Sequence, residues 1–143
     1  MSPTVAAAGL ARALAAIAGE AYATEDPART TSFAIDEVVP RAAVEPGSAA
    51  EVAAVLQYAH ARKLVVAPAG GFTHQHTGGI PERVDILLRT ERLKAVEHYD
   101  PGDMMIGVGV GTTWPRSSAR SDRTSRYFPW RRRSRREAQS GER

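Results

Sequence analysis

Cysteine is absent from this chain of 143 residues. That excludes a disulfide framework and any thiolate metal site. No apolar run approaches the ~20 residues that a bilayer-spanning helix needs, so no membrane span is expected. The N-terminus is rich in alanine but has no basic leader region, and Arg12 and Glu20 interrupt its apolar stretch. It reads as a helix and not as a secretory signal, which makes a cytoplasmic location the expectation. Three chemical signatures are missing as well: a nucleophile elbow, a Walker loop and a GxGxxG dinucleotide fingerprint.

Charge is present but unevenly placed. Residues 114–143 hold ten arginines against three acids, a net of +7, whereas residues 1–113 hold nine Lys/Arg against thirteen acids, a net of −4. The formal total of +3 and the pI near 9.7 therefore describe the C-terminal segment more than the body of the chain. The length suits one modest domain.

In chain order, residues 5–22 are dense in alanine, the best helix former. Leu10, Leu14 and Ile17 repeat at helical spacing and predict one apolar stripe. Glu25-Asp26-Pro27 is expected to end that helical region, and residues 32–39 to run extended up to Pro40. Residues 42–44 form a short strand candidate closed by Glu45-Pro46-Gly47. Ser48 and Glu51 have capping-box spacing, with Ser48 capping the free amides and Glu51 reaching back to it. The helix that follows places Val52, Val55, Leu56 and Ala59 on one face and ends near Ala61, with His60 solvated at its end. Residues 64–67 are a continuous apolar run, as in a strand covered on both faces. Strand, helix and strand over residues 42–67 predict a βαβ unit with parallel strands and a right-handed crossover. Residues 84–88 are a third buried strand. Residues 95–99 and 104–110 read as an antiparallel hairpin about a tight Asp100-Pro101-Gly102 turn, with His98 on its exposed face. Gly107, Gly109 and Gly111 alternate, so that one face of the last strand is bare. Either another element packs closely there or a flat ligand lies against it.

The most informative stretch follows the second strand of the βαβ unit: Pro68-Ala69-Gly70-Gly71-Phe72-Thr73-His74. A glycine pair at a strand end suits a sharp turn or the close approach of a ligand. Thr73, His74 and Gln75 supply side-chain donors beside the exposed amides of that turn, a composition that would suit an anion such as a phosphate. In open α/β sheets, ligands sit at this end of the strands. The same composition also suits a glycine-rich surface connection without a ligand. His74 and His76 are two residues apart with no cysteine nearby, and Glu82 and Asp85 are the nearest carboxylates. No metal site is assigned to them. Asp85, inside an apolar strand, reads as a hydrogen-bonded structural carboxylate.

Residues 37–113 resemble the opening of the FAD-binding domain of the vanillyl-alcohol oxidase / p-cresol methylhydroxylase type, nearest in character to the FAD-binding subunit of glycolate oxidase. The resemblance rests on Val44-Glu45-Pro46 before the Ser-capped helix and on residues 65–73 at the phosphate loop. It continues through residues 81–88 and the Tyr99-Asp100-Pro101 turn to residues 108–113. It implies an α+β fold: an N-terminal helix, then a small βαβ-containing mixed sheet that forms the first FAD-binding subdomain. It implies non-covalent FAD, held weakly or not at all by this fragment alone, with Pro68, Ala69, Gly70, Gly71, Phe72, Thr73, His74, Gly109, Gly111 and Thr112 as cofactor-binding residues. It also implies a flavin-dependent oxidation of 2-hydroxy acids or similar alcohols by the intact protein, with further subunits of an oxidase complex as candidate partners. Phe72 stands where the family has a third glycine or, in some branches, a histidine that bonds the flavin covalently. A glycine there implies a backbone with φ > 0, which a bulky residue resists.

The implied organisation is an N-terminal helical segment (1–30), a partial FAD-binding domain (31–113) and a disordered, arginine-rich tail (114–143). The tail loses apolar periodicity just where the family continues with an amphipathic helix. Permitted codons for it, shifted by two bases, encode such a helix, so the tail is expected to be a frameshifted reading and the chain to be C-terminally truncated. The alternative is a non-enzymatic module whose tail contacts nucleic acid through arginines interleaved with Tyr127, Phe128 and Trp130.

Overall fold

The computed structural model describes residues 9–72, 79–100 and 102–113. The chain divides into two units, residues 1–93 and 94–143.

The first unit opens with α1 (Leu10–Ala18), which buries Leu10 and Leu14 of the predicted stripe and also Ala18, while Ile17 packs half-buried against the core. Residues 5–8 of the expected helix lie outside the described residues, and its C-terminal end comes earlier than expected. The helix ends at Gly19, whose N–H returns to Ala15 O at 2.8 Å, and a single 3-10 turn (Glu20–Tyr22) follows. After β1 (Ala23–Thr24), Asp26-Pro27 opens a helix and does not close one. Asp26 Oδ1 accepts the Ala28 N–H at 3.0 Å, and Pro27 takes the first position of α2 (Pro27–Thr31). A missing N–H costs nothing there. Residues 32–39 are not an extended segment. They turn about an Ile35–Val38 bridge, with Asp36 at φ 50°.

Strand β2 (Ala42–Val44) is wholly buried. The capping box then starts α3 (Ala49–Ala61). Ser48 Oγ accepts the Glu51 N–H at 3.2 Å, and Glu51 Oε2 reaches one residue further back than expected, to the Gly47 N–H at 2.8 Å. Val55 and Ala59 face the core, Val52 packs at its margin, and Leu56 and His60 face out. Strands β3 (Val66–Ala69) and β4 (Ile86–Arg89) complete a four-stranded mixed sheet in the order β1-β2-β4-β3. Strands β2 and β3 both run parallel to β4, as the βαβ pattern predicts, but β4 lies between them. Strand β3 is therefore an edge strand, half-exposed, where cover on both faces was expected. Pro68 suits that place because an edge does not need its missing N–H. The buried apolar run of β4 takes the centre. One face of the sheet, through Ala42, Val44, Ile86 and Leu88, packs with Leu14 of α1 and Val55 of α3 into the core.

The second unit is an antiparallel hairpin, β5 (Val96–Asp100) with β6 (Met105–Val108). His98 is exposed, as expected. The connection is longer than a two-residue turn, since Asp100 pairs with Met105 and Met104 takes φ 55°. Pro101 lies outside the described residues. Asp100 Oδ1 accepts the N–H of Asp103 at 3.1 Å and of Gly102 at 2.8 Å. These two bonds favour the carboxylate and hold its pKa below the ordinary value. Among the described residues no helix is long and apolar enough to cross a membrane.

Candidate functional site

Because β2, β4 and β3 run in one direction, their C-terminal ends share an edge, and the chain leaves it at Glu45, Thr90 and Gly70. This is the edge at which open parallel sheets take ligands. The structure brings Pro68, Ala69, Gly70, Gly71 and Phe72 together there. Pro68 and Ala69 are the last residues of β3, and Ala69 O accepts the Thr90 N–H at 2.9 Å. A β-carbon at Gly70 would meet Thr90 Oγ1 at 3.6 Å, an ordinary contact, and one at Gly71 would meet none of the described residues within 4 Å. Neither glycine takes positive φ; the left-handed residue of the loop is Phe72, at φ 52°. The chain bends through Gly70, Gly71 and Phe72, and the two glycines bend it without left-handed φ while leaving the backbone bare. Among the described residues, no hydrogen-bond acceptor takes the N–H of Gly70, Gly71 or Phe72. Thr73 and His74 lie outside the described residues.

Two side chains at this edge had no local signal in the sequence. Phe33 stacks with Phe72, their ring centroids 6.0 Å apart and their planes at 20°. Arg89, at the end of β4, sets its guanidinium 4.4 Å from the centre of the Phe33 ring and is paired to Glu45 and Glu91. Its Nε is buried and has no hydrogen-bond partner among the described residues. Arg92 is structural. It lies 3.5 Å from the Tyr22 ring centre, donates to Glu45 O at 2.8 Å, and fills the space a β-carbon at Gly47 would need, its Nη2 only 2.6 Å away. Asp85 is also structural, as its place in the sequence suggests. It is 4% exposed, accepts the Val65 N–H at 2.8 Å and pairs with Arg41 at 3.2 Å and Arg83 at 3.5 Å. It precedes β4 and so belongs to the opposite edge of the sheet.

Gly109, Gly111 and Thr112 belong to the second unit. Strand β6 stops at Val108, and the Thr112 N–H bonds back to Gly109 O at 2.9 Å, so the alternating glycines do not form the continuous bare strand face expected. Gly107 packs closely instead, a β-carbon there lying 3.3 Å from His98 Cβ. Thr112 Oγ1 is buried with no hydrogen-bond partner among the described residues. Unbonded amides at a bare strand end fit a diphosphate, which offers several acceptors in a small volume. Among the described residues no group of three or more His, Cys, Asp and Glu could hold a metal ion.

Comparison with solved structures agrees on the fold. The chain is similar to p-cresol methylhydroxylase with substrate bound (15% identity, TM-score 0.72, 85% of this chain and 26% of that one). It is similar to 4-ethylphenol oxidase from Gulosibacter chungangensis (18%, 0.70, 82% and 24%). It is also similar to alkyldihydroxyacetonephosphate synthase (19%, 0.67, 87% and 26%). The chain thus spans about a quarter of the length of these structures. No curated protein matches it. The sequence matches the family described as FAD binding domain over residues 40–137. The match covers β2, α3, β3, β4 and the hairpin, and runs past Trp114 into the arginine-rich segment. By that match, over more than half its length, the chain belongs to the FAD binding domain family.

Proposed function

We propose that this chain binds FAD non-covalently by its diphosphate, at the C-terminal edge of β3. One observation carries the proposal: the N–H groups of Gly70, Gly71 and Phe72 have no acceptor among the described residues, and a β-carbon at Gly71 would meet none of the described residues within 4 Å. A diphosphate supplies acceptors that such amides lack, and a glycine lets it come within hydrogen-bonding range. Pro68 and Ala69 set the direction from which the loop leaves the sheet. Thr73 and His74 add side-chain donors. The family resemblance also puts Gly109, Gly111 and Thr112 among the cofactor-binding residues. Phenylalanine at position 72 has no nucleophilic atom, which supports non-covalent attachment.

When bound, the flavin supplies redox chemistry by accepting a hydride, and this chain's residues bind and orient it. For the whole protein we infer a flavin-dependent oxidoreductase. The resemblance to the glycolate oxidase subunit supports 2-hydroxy acids or similar alcohols as substrates, with further subunits of an oxidase complex as partners. The affinity of these residues alone is expected to be weak.

The diphosphate is what separates FAD and ADP from riboflavin. FAD and ADP are expected to bind the purified chain and to compete, and riboflavin not to bind, by isothermal titration or quenching of flavin fluorescence. Riboflavin binding as well as FAD, or no binding of FAD and ADP, would contradict the proposal.

A further inference from the structure

A bulky residue at positive φ is uncommon, and it persists only where its surroundings hold it there. Phe72 is such a residue, at φ 52°. What holds it can be traced contact by contact. Its ring stacks on Phe33. Phe33 is gripped by the Arg89 guanidinium, and Arg89 is fixed by Glu45 and Glu91. The backbone of Arg89 is in turn the register partner of Ala69, the residue from which the loop departs. The loop's third residue is therefore tied back, through Phe33 and Arg89, to the sheet edge where the loop begins.

We propose that Phe33 and Arg89 are positioning residues that clamp Phe72 in its left-handed conformation. The clamp fixes the N–H groups of Gly70, Gly71 and Phe72 before the cofactor arrives. It does with packing what glycine would do by having no β-carbon. A loop fixed in advance loses less freedom on binding, so the contact raises affinity without touching the ligand. This inference rests on the diphosphate reading above.

The test uses the full 143-residue chain and reads the clamp separately from the cofactor. At positive φ a residue's own HN and Hα lie close, so Phe72 gives a strong intraresidue NOE. Phe33→Leu is expected to weaken that NOE and to lower FAD affinity about fivefold, the scale of one aromatic pair. Adding Phe72→Gly is expected to restore affinity to within about twofold, because glycine adopts positive φ unaided. A Phe33 that served only the core would cost the same with either residue at position 72. If Phe33→Leu does not fold, Arg89→Lys serves instead, since it keeps the charge and loses the planar stack. An unchanged Phe72 NOE, or an equal loss of affinity in both backgrounds, overturns the clamp. Failure of the unsubstituted chain to bind FAD overturns the functional reading, and the NOE then decides the clamp by itself.

Discussion

Replacing Gly71 with valine is expected to abolish flavin binding and to leave the melting temperature unchanged. The two halves of this expectation come from different facts. Gly71 does not take left-handed φ, and a β-carbon there meets none of the described residues within 4 Å. The fold therefore accepts a side chain, with a stability change within about 0.5 kcal/mol. The ligand does not. A branched side chain beside the free amides keeps a phosphate oxygen out of hydrogen-bonding range. Losing about two charge-assisted bonds costs ~3 kcal/mol, roughly a hundredfold in affinity. A weak binder loses its titration curve altogether at that cost. Thermal melts and FAD titrations on the same preparation check both halves together. A destabilised Gly71→Val, or one that binds FAD normally, would mean that the open space beside Gly71 is not where the cofactor sits.

The second large effect lies in the core. Leu14 has no exposed surface and packs from α1 against the β2–β4 face of the sheet and α3. Leu14→Ala is expected to cost ~3 kcal/mol, from lost burial and the cavity left behind. In a unit of this size that lowers the melting temperature by about 15 °C, measured by circular dichroism. Leu56→Ala, on the same stretch of chain as α3 but 47% exposed, serves as the control and is expected to change little.

These two leucines also show how far the sequence could be read. Leu10 and Leu14 declare their burial by helical spacing, and Ser48 declares the start of α3 by its spacing from Glu51, because both signals are local. Asp26-Pro27 is local too, yet the same residue pair can stop one helix or start another. The backbone settled it, with Asp26 capping α2. Strand β4 was visible as an apolar run, but its insertion between β2 and β3 was not, since register leaves no mark on the composition of one strand. For the site, the loop at positions 68–72 stood out by its glycines. Its left-handed residue was foreseeable from the family pattern, in which a glycine usually stands where this chain has Phe72. Phe33 and Arg89 were not foreseeable: Phe33 meets Phe72 and Arg89 meets Phe33 only after the fold has brought three distant segments together. Thr112 was named by the resemblance, but its orphaned hydroxyl could be seen only in three dimensions.

The central claim is that the backbone following β3 is shaped to hold a diphosphate, and titrating isotope-labelled chain with ADP while following its amide resonances tests it most directly. The account predicts saturable shifts at Gly70, Gly71 and Phe72, with Asp85 and its neighbours at the opposite sheet edge unmoved. Saturation with ADP that leaves those three amides in place would contradict it.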